Sequence, residues 1–398
     1  MRIGYIAPYQ GPDLVQKRPS LHNLSLAARV KIQLIAGLLQ SSSHEVEIIS
    51  QGPVDGYQLR FYPALPKTDS FHPEIPVSYL SALPVRFLCG WWEGFSAERL
   101  LKERHARNPY DLLIVYNLKR AQLRAAHYAV RHLGIPVILE YEDDVFVDVQ
   151  GRSNQKWLSN RQHDSFRETL KLMSGVMAPS PYLLSQCPDV PQLLIRAVVS
   201  PDILKLRRHG QEPKKNWVVF SGTLEGTQGL EQTVKAWHTL QYPGWELHIA
   251  GQGALMPSLQ KLAEGNRSIV FHGLLNRQEN ASLLCAARIG LNAQDVSQTL
   301  GNVFAFKIIE YLAAGNHVIT TPRGKFEPEL EAGVTYIRDN SPEAIAACLK
   351  QVIREQRSAG SAEEAAVRMY GPETMSRSLN SLLDQIAAPP KKQVLALT

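Results

Sequence analysis

Lys307 and Glu310 are the two residues whose types and spacing most directly suggest chemistry. They lie three positions apart in residues 304–315 (FAFKIIEYLAAG), where the apolar pattern predicts a helix beginning near Phe306. Residues three apart share one face of a helix. An ammonium can neutralise phosphate oxygens, and a carboxylate can accept hydrogen bonds from the hydroxyls of a ribose. The pair therefore suggests a nucleoside diphosphate site. The alternative is an exposed ion pair, worth about 0.3–0.5 kcal/mol.

Two glycine-containing turns upstream are candidates for a phosphate contact. Gly222 and Thr223 follow a predicted strand, and Gly251 and Gly253 follow the next one. Glycine lets a ligand approach the backbone closely, and Thr223 adds a hydroxyl donor. The helix predicted from about residue 230 points its N–H groups and positive dipole end at the first turn. Taken singly, each turn is equally explained by an ordinary connection between a strand and a helix.

The acidic run 140–144 follows a predicted strand in the first half of the chain. Glu142 and Asp143 are candidates for hydrogen bonds to the hydroxyls of a substrate, or for assisting a proton transfer. A solvated loop with a helix-capping aspartate is the alternative. A Mg²⁺ or Mn²⁺ site is a further one, because these ions prefer carboxylates. We expect no cofactor and a metal-independent reaction.

The elements that position these residues form two successive series of strands alternating with helices. This alternation predicts two doubly wound parallel sheets, in which ligands bind beyond the carboxyl ends of the strands. Residues 52–96, rich in proline and aromatic residues, are expected to form loops with one or two short helices. The predicted strands are 2–7, 45–50, 111–116, 136–140, 175–178, 217–220, 246–250, 269–272, 289–292, 317–320 and 334–337.

The length of 398 residues and a polar stretch at 199–216 predict two domains. We expect an N-terminal acceptor-binding domain at 1–198 and a C-terminal donor-binding domain at 199–371. The helix at about 372–388 is expected to pack back on the first domain, followed by a disordered tail at 389–398.

Composition excludes several classes of protein. The net charge of +6 is too small to predict a nucleic-acid partner, and the four cysteines show neither metal-ligand spacing nor a disulfide framework. No apolar run approaches the roughly 18 residues of a membrane span, and we see no signal peptide. We therefore expect a cytoplasmic protein, with a peripheral contact to the inner face of the membrane left open. The aromatic residues of 52–96 are expected to pack under a long loop, or alternatively to face a lipid or a sugar.

Four motifs in order resemble the donor domain of family 4 retaining glycosyltransferases of the GT-B fold. They are SGTL with GLE at 221–231, IAGQG at 249–253, VFHG at 270–273, and the stretch 304–315. The resemblance covers about residues 217–322. It implies two Rossmann-like domains facing across a cleft. It also implies transfer of a hexose, with retention, from a UDP- or GDP-sugar to a glycan or lipid-linked acceptor, in cell-envelope or polysaccharide biosynthesis.

The resemblance also implies roles for single residues of the donor site. Glu310 matches the second glutamate of the family's Glu-x7-Glu pair, which holds the ribose, whereas Asn302 stands where the first glutamate would be. Thr223 and Gln228 stand where many members have an arginine and a lysine. Lys307 is therefore expected to supply part of the missing positive charge.

Phe304 precedes Lys307 as in those family subgroups that carry a Phe-Pro-Ser-Lys run, and it joins the expected donor-binding residues. In the first domain, Gly11 is expected near the donor phosphates. Tyr116 and Asn117 end a strand at a position where the family often has a histidine facing the sugar.

The mechanism implied by the family needs no protein nucleophile, because orientation and charge stabilisation suffice. Two alternatives stay open. A non-catalytic nucleotide-sugar or glycan-binding GT-B protein would be compatible with Thr223, Gln228 and Asn302. A GT-B epimerase or an inverting transferase would need a general base, for which Asp143 or Glu142 is the candidate.

Overall fold

The computed structural model describes residues 1–18, 26–52, 54, 59–71, 75–143, 160–208, 213–240, 242–295, 304–322 and 326–387. Asn302, Asp144 and the tail 389–398 lie outside these residues. What the sequence predicts for them therefore stays a prediction.

The first domain contains an eight-stranded sheet in the order β3-β4-β2-β1-β5-β6-β7-β8. Only β3 is antiparallel to its neighbour, and the register places Ile3 beside Val46 on one side and Leu112 on the other. The strands are β1 Arg2–Ile6, β2 Glu45–Ser50, β3 Leu65–Phe71, β4 Ile75–Tyr79, β5 Leu112–Tyr116, β6 Val137–Glu140, β7 Gly175–Ala178 and β8 Gln192–Leu194.

Helices cover both faces of this sheet. Helix α4 continues as one π-helical turn, Ala129–Leu133, which ends at Gly134 with φ +67°, a left-handed conformation that glycine adopts without strain. The helices are α1 Pro12–Lys17, α2 Leu26–Ser41, α3 Cys89–Arg107, α4 Arg120–Tyr128, α5 Asn160–Leu170 and α6 Pro181–Ser185.

The second domain contains a six-stranded parallel sheet in the order β11-β10-β9-β12-β13-β14. Its strands are β9 Lys215–Ser221, β10 Glu246–Ala250, β11 Ile269–Gly273, β12 Ala287–Asn292, β13 His317–Thr320 and β14 Val334–Tyr336. The remaining helices are α7 Pro201–Arg208, α8 Leu230–Thr239, α9 Met256–Leu262, α10 Arg277–Ala286, α11 Phe306–Ala313, α12 Pro328–Glu331, α13 Pro342–Arg354, α14 Ser361–Tyr370 and α15 Pro372–Ala387.

The strand order reverses once in each sheet: between β1 and β5 in the first, and between β9 and β12 in the second. Helices on either side of such a point lie on opposite faces of the sheet and leave a crevice beyond the strand ends, where ligands bind in doubly wound folds. The turns after β9 and β12, and those after β1 and β5, are therefore the places to look for a site.

The core lies on both faces of the first sheet because its central strands are buried on both sides. Along β5, Ile114 and Tyr116 belong to one apolar cluster, whereas Leu113 and Val115 belong to another. The first cluster is continuous with Ile308, Tyr370 and other residues of the second domain. One face of each sheet therefore contributes to a shared apolar cluster, whereas the other face of each sheet packs in a cluster of its own domain.

Helix α15 returns to the first domain, where it contacts α2 and β8. The Asn380 Nδ2 donates to Ser42 Oγ at 2.8 Å, and His44 Nε2 lies 2.9 Å from Asn380 Oδ1. A methyl group on Gly175 would lie only 2.6 Å from Ile386 Cδ1. The boundary at 198/199 stays a prediction, and α7 occupies part of the polar stretch 199–216.

The prediction for residues 52–96 is wrong, because this segment contains β3, β4 and the start of the long helix α3. Pro66 and Pro76 argue against strands, yet β3 is an edge strand, where a missing N–H is tolerated. Helices α1, α7, α10 and α12 and the short strand β8 were also missed. For α10 the sequence does carry a signal, a capping box in which Asn276 and Glu279 bond reciprocally.

Candidate functional site

The ammonium of Lys307 lies beside the turn after β9. Its Nζ donates to Gln228 Oε1 at 2.9 Å and lies 4.0 Å from the centre of the Phe220 ring. A methyl group on Gly222 would lie 2.8 Å from this Nζ. The aromatic ring and the amide therefore hold the charge at the point where the strand order of the second sheet reverses, and Gly222 leaves room for it.

The turns after β9 and β10 interlock through their backbones. Gly222 N donates to Ala250 O at 3.0 Å, and Leu224 N donates to Gln252 O at 2.9 Å. A methyl group on Gly251 would lie 1.8 Å from Gly222 O, and one on Gly253 would lie 2.3 Å from Leu224 O. Glycine is thus required here for the contact between the two turns. A ligand contact at Gly251 and Gly253 stays a prediction.

Helix α8 begins at Leu230, a few residues after this turn, and its N-cap is Gly229, which has φ +68°. A methyl group on Gly229 would lie 1.9 Å from Ala293 O in the loop after β12, so the helix start is pressed against the neighbouring strand end. Within the described part of the chain no side chain caps the first turn of α8. Its N–H groups and positive dipole end are therefore suited to an anion beside Lys307.

Glu310 lies one turn along α11 from Lys307 and is partly buried. Burial raises its pKa to about 7, and the positive charges of Arg277 and Lys307 act in the opposite direction. The carboxyl group therefore exchanges its proton near neutral pH. As a carboxylate it accepts hydrogen bonds from two hydroxyls, whereas the protonated form donates one itself.

Arg277 is a positive residue of this site that the sequence analysis missed. It begins α10, acts on Glu310 and lies 3.7 Å from Asp202 of α7. The Asn276 capping box would have indicated that a helix begins here, at the carboxyl edge of the sheet. Arg277 supplies a second positive charge near α11, in addition to Lys307.

Phe304 is turned toward the domain contact rather than toward the turn after β9. Its ring packs edge-on against Phe326 at 5.3 Å, and the Arg196 guanidinium lies 4.6 Å from its centre. Arg196 also pairs with Glu327 at 3.0 Å and bonds to Pro179 O in the first domain. The structure thus places Phe304 where the two domains meet, and its predicted contact with the donor stays a prediction.

In the first domain, Asn117 organises the ends of β5 and β6. It has φ +56°, is almost fully buried, and its Oδ1 accepts from the backbone N of Glu142 at 2.7 Å and of Asp143 at 3.1 Å. Its Nδ2 donates to Asp143 Oδ2 at 3.1 Å. Asparagine tolerates the left-handed region better than most residues. Asn117 therefore fixes the acidic turn and orients the exposed carboxylate of Asp143.

Glu140 is fully buried at the end of β6 and accepts a short hydrogen bond from the Tyr5 hydroxyl. Burial and the neighbouring Glu142 raise its pKa to about 8, against the effects of Lys31 and Tyr5. Burial and the charges of Glu142 and Glu140 likewise raise the pKa of Tyr116. Glu140 is thus protonated at neutral pH and lies too deep to touch a substrate.

Lys31 of α2 reaches across to this cluster. Its Nζ pairs with Glu142 and donates to Ile195 O at 3.1 Å. Burial raises the pKa of Glu142, whereas Lys31 lowers it. The structure therefore brings together the predicted residues Tyr116, Asn117, Glu142 and Asp143. Lys31 joins them as a partner that no local sequence pattern indicates.

Gly11 lies at the start of α1 and is close to Asp69 of β3. A methyl group on Gly11 would lie 2.2 Å from Asp69 Cγ, and Gly11 N donates to Tyr79 Oη at 3.0 Å. Asp69 accepts from the backbone N of Asp13 and Leu14. A carboxylate of the protein thus occupies the start of α1, and a donor contact of Gly11 stays a prediction.

Two features are absent from the described residues, a metal-ligand cluster and a membrane-spanning helix. No three histidine, cysteine, aspartate or glutamate side chains among them converge as ligands of a metal ion. In the same part of the chain, no helix combines the length and the apolar character needed to cross a bilayer. Independence from metals and cofactors stays a prediction.

Similarity to a known sequence family lies in the second domain. Residues 215–355 match the model of the family described as glycosyl transferases group 1. No curated protein matches the chain.

The whole chain resembles solved structures despite low identity. A sucrose-phosphate synthase from Thermosynechococcus elongatus superposes with a TM-score of 0.70 at 14% identity, covering 97% of this chain and 99% of that one. HepE from Anabaena, in complex with UDP and glucose, gives 0.62 at 14% identity, with 96% and 99% covered. A UDP-GlcNAc 2-epimerase from Neisseria meningitidis bound to UDP-GlcNAc gives 0.57 at 13% identity, with 96% and 99% covered. The chain therefore has the GT-B fold, and residues 215–355 resemble the glycosyl transferases group 1.

Proposed function

We propose that this protein is a glycosyltransferase that moves a hexose from a nucleoside diphosphate sugar to a hydroxyl acceptor with retention. The observation that carries the proposal is the position of Lys307, held by Gln228 and Phe220 beside the Gly222 turn and the start of α8. The match of residues 215–355 to the glycosyl transferases group 1 supports it.

In this proposal the donor diphosphate binds between Lys307 and the first turn of α8. The ammonium and the backbone N–H groups stabilise negative charge on the leaving diphosphate as the glycosyl bond breaks. Glu310, as a carboxylate, accepts hydrogen bonds from the ribose hydroxyls, and Arg277 helps to keep it ionised. The other proposed donor-binding residues are Gly222, Thr223, Gly251, Gly253, Asn302 and Phe304.

The acceptor is proposed to bind against the first domain, near Tyr116, Asn117, Glu142 and Asp143. The leaving diphosphate takes the proton of the incoming hydroxyl, so no protein nucleophile is needed. Asp143, exposed and oriented by Asn117, is proposed to position that hydroxyl. Closure of the two domains would exclude water and favour transfer over hydrolysis.

UDP is the first nucleotide to test, because HepE is described in complex with UDP and UDP-glucose. A glycan or a lipid-linked sugar is the proposed acceptor, in cell-envelope or polysaccharide biosynthesis. A lipid-linked acceptor would be reached by a peripheral contact with the inner face of the membrane.

The test is to incubate the full chain with UDP- and GDP-sugars, with and without glycan acceptors, and to follow nucleoside diphosphate release and product by NMR. We expect release that depends on acceptor and an anomeric configuration equal to that of the donor. Nucleotide-sugar binding without turnover would favour the non-catalytic binding protein. An epimerised nucleotide sugar, or an inverted product, would contradict the proposed reaction and point to Asp143 or Glu142 as a base.

A further inference from the structure

A group of apolar side chains is exposed around the start of α3. Phe61, Phe87, Leu88 and Trp91 form this aromatic patch, with 84% of Phe87 and 55% of Trp91 exposed. Phe61 packs edge-on against Trp92 at 5.7 Å, and Trp92 contacts Trp91 at 6.2 Å, so these rings form one group that follows Phe87 and Leu88 at the start of α3. Large contiguous apolar surfaces are rare on soluble monomers and mark interaction sites.

Phe87 lies in the turn that leads into α3 and has a backbone conformation that is rare for an aromatic residue. Its φ is +70°, a region that a bulky aromatic residue rarely adopts because its Cβ crowds the backbone. The ring is nevertheless almost fully exposed and covers little of the protein. The turn is held by backbone hydrogen bonds from Leu88 N and Cys89 N to Val85 O, at 3.0 and 2.9 Å, and it presents the Phe87 ring to solvent.

Positive charges border the aromatic patch. Arg60 lies over Tyr62 at 5.0 Å, and Arg86 lies over the Phe87 ring at 5.0 Å. Lys119 and Arg120, both exposed, flank the same end of α3, since a methyl group on Gly90 would overlap the Arg120 side chain.

The carboxylates along α3 are engaged away from the patch or at its base. Glu98 pairs with Arg124 at 2.5 Å, and Glu103 pairs with Arg99 at 2.9 Å. Glu93 is partly buried beneath, where the charges of Lys119 and Arg120 act on it. The outer face of the patch is therefore apolar and positively charged at once.

The patch lies at the carboxyl edge of the first sheet. Helix α3 follows β4, which is parallel to β2 and β1, and its first turns pack beside the start of α4, which follows β5. Tyr116 and Asn117 end β5 at that same edge. A surface that the patch contacts would therefore lie on the side of the domain where the proposed acceptor residues lie.

We infer that the aromatic patch and its arginines dock the first domain on the surface of a membrane containing anionic lipids. Tryptophan and phenylalanine favour the boundary between headgroups and acyl chains, and arginines attract anionic headgroups. A flat glycan or a protein partner would not require this combination of exposed rings, an exposed Leu88 and four cations. The inference rests on the peripheral contact proposed above and adds the surface that makes it.

The test is co-sedimentation of the full chain with vesicles of phosphatidylcholine, alone or mixed with phosphatidylglycerol. We expect binding to the mixed vesicles that weakens as salt is raised. Phe87→Asn should weaken it about tenfold, and this variant should fold at least as well as the wild type, because asparagine tolerates positive φ. Arg60→Gln with Arg86→Gln should weaken it by a similar factor.

Two control variants change exposed residues of the second domain. Leu274→Asn removes an exposed leucine, and Arg338→Gln with Arg354→Gln removes two exposed arginines; both should bind like the wild type. Equal binding by the Phe87→Asn variant and the wild type would overturn the inference. So would self-association of the wild type that is lost in Phe87→Asn without any vesicle binding, or binding of soluble glycans at the patch instead. Vesicle binding is measured without nucleotide release. A failure of the docking inference can therefore be distinguished from a failure of the proposed reaction.

Discussion

The two halves of the candidate site use different means to hold charge. In the second domain, backbone turns and the single ammonium of Lys307 form the proposed diphosphate site, and glycines allow the close contacts. In the first domain, Lys31 pairs with the partly buried Glu142, beside the fully buried carboxyl group of Glu140. The first arrangement relies mainly on backbone groups around one ammonium, whereas the second depends on several charged side chains that are far apart in sequence.

This difference predicts how each half responds to mutation. The second-domain half should lose function without losing stability, because Lys307 lies at the edge of a turn that is held by backbone hydrogen bonds. The first-domain half should change in stability, because removing one buried charge leaves its partner uncompensated.

The largest effect is expected from Lys307→Ala. Loss of the ammonium should lower the rate of nucleoside diphosphate release about 100- to 1000-fold, as for removal of one oxyanion donor, with little change in Tm. Release is measured with the donor that the wild type accepts. Lys350→Ala, on the exposed face of α13, is the matched control. Undiminished release by the Lys307 variant would contradict the role proposed for this ammonium in the second domain.

Lys31→Met should destabilise the first domain by about 2–3 kcal/mol at pH 8, because the carboxylate of Glu142 then stays buried without a cation. The loss should shrink as the pH is lowered toward 5, because burial raises the pKa of both carboxyl groups and protonation removes the uncompensated charge. Urea unfolding at the two pH values measures this. Lys171→Met, exposed after α5, is the control, and equal stability of both variants at pH 8 would contradict the account.

Glu310→Gln should weaken nucleotide binding about tenfold at pH 8, since an amide is a poorer acceptor for two hydroxyls. The pKa of Glu310 is about 7, so affinity of the wild type should rise from pH 6 to pH 8 as the carboxylate forms. The variant should show no such rise. Calorimetric titration with UDP between pH 6 and pH 8 measures this affinity. A parallel rise in the variant would show that a group other than Glu310 causes the pH dependence.

Glu140→Gln should have the smallest effect and the opposite sign. The folded-state pKa of about 8 lies above the ordinary 4.5, so the wild type loses stability as pH rises between these values. The amide can still accept from Tyr5 and avoids this loss. We expect a Tm higher by about 2 °C at pH 8 and equal at pH 4.5. A lower Tm at pH 8 would show that Glu140 is needed as a carboxylate.

The sequence predicted more of the second domain than of the first for a physical reason. Lys307 and Glu310 share one short helix, so spacing alone places them together. Lys31 and Glu142 lie 111 positions apart, and Tyr5 and Glu140 lie 135 apart. No local pattern encodes such pairs, because they depend on strand order in the sheet.

Other misses have local causes. Strands β3 and β4 contain prolines that indicate a loop, and the edge position that makes proline tolerable in β3 is not visible in the sequence. Arg277 could have been found from the capping box at Asn276. The alternation of strands and helices otherwise predicted the doubly wound fold, because hydrophobic periodicity reflects burial directly.

The central claim is that a nucleoside diphosphate binds beside Lys307. Thermal shift with UDP and GDP tests it most directly, comparing the wild type with Lys307→Ala and with Glu142→Gln. We predict that one nucleotide raises the Tm of the wild type and of Glu142→Gln at saturating concentration, and that the rise disappears in Lys307→Ala. An equal rise in Lys307→Ala, or none in the wild type with either nucleotide, would contradict the claim.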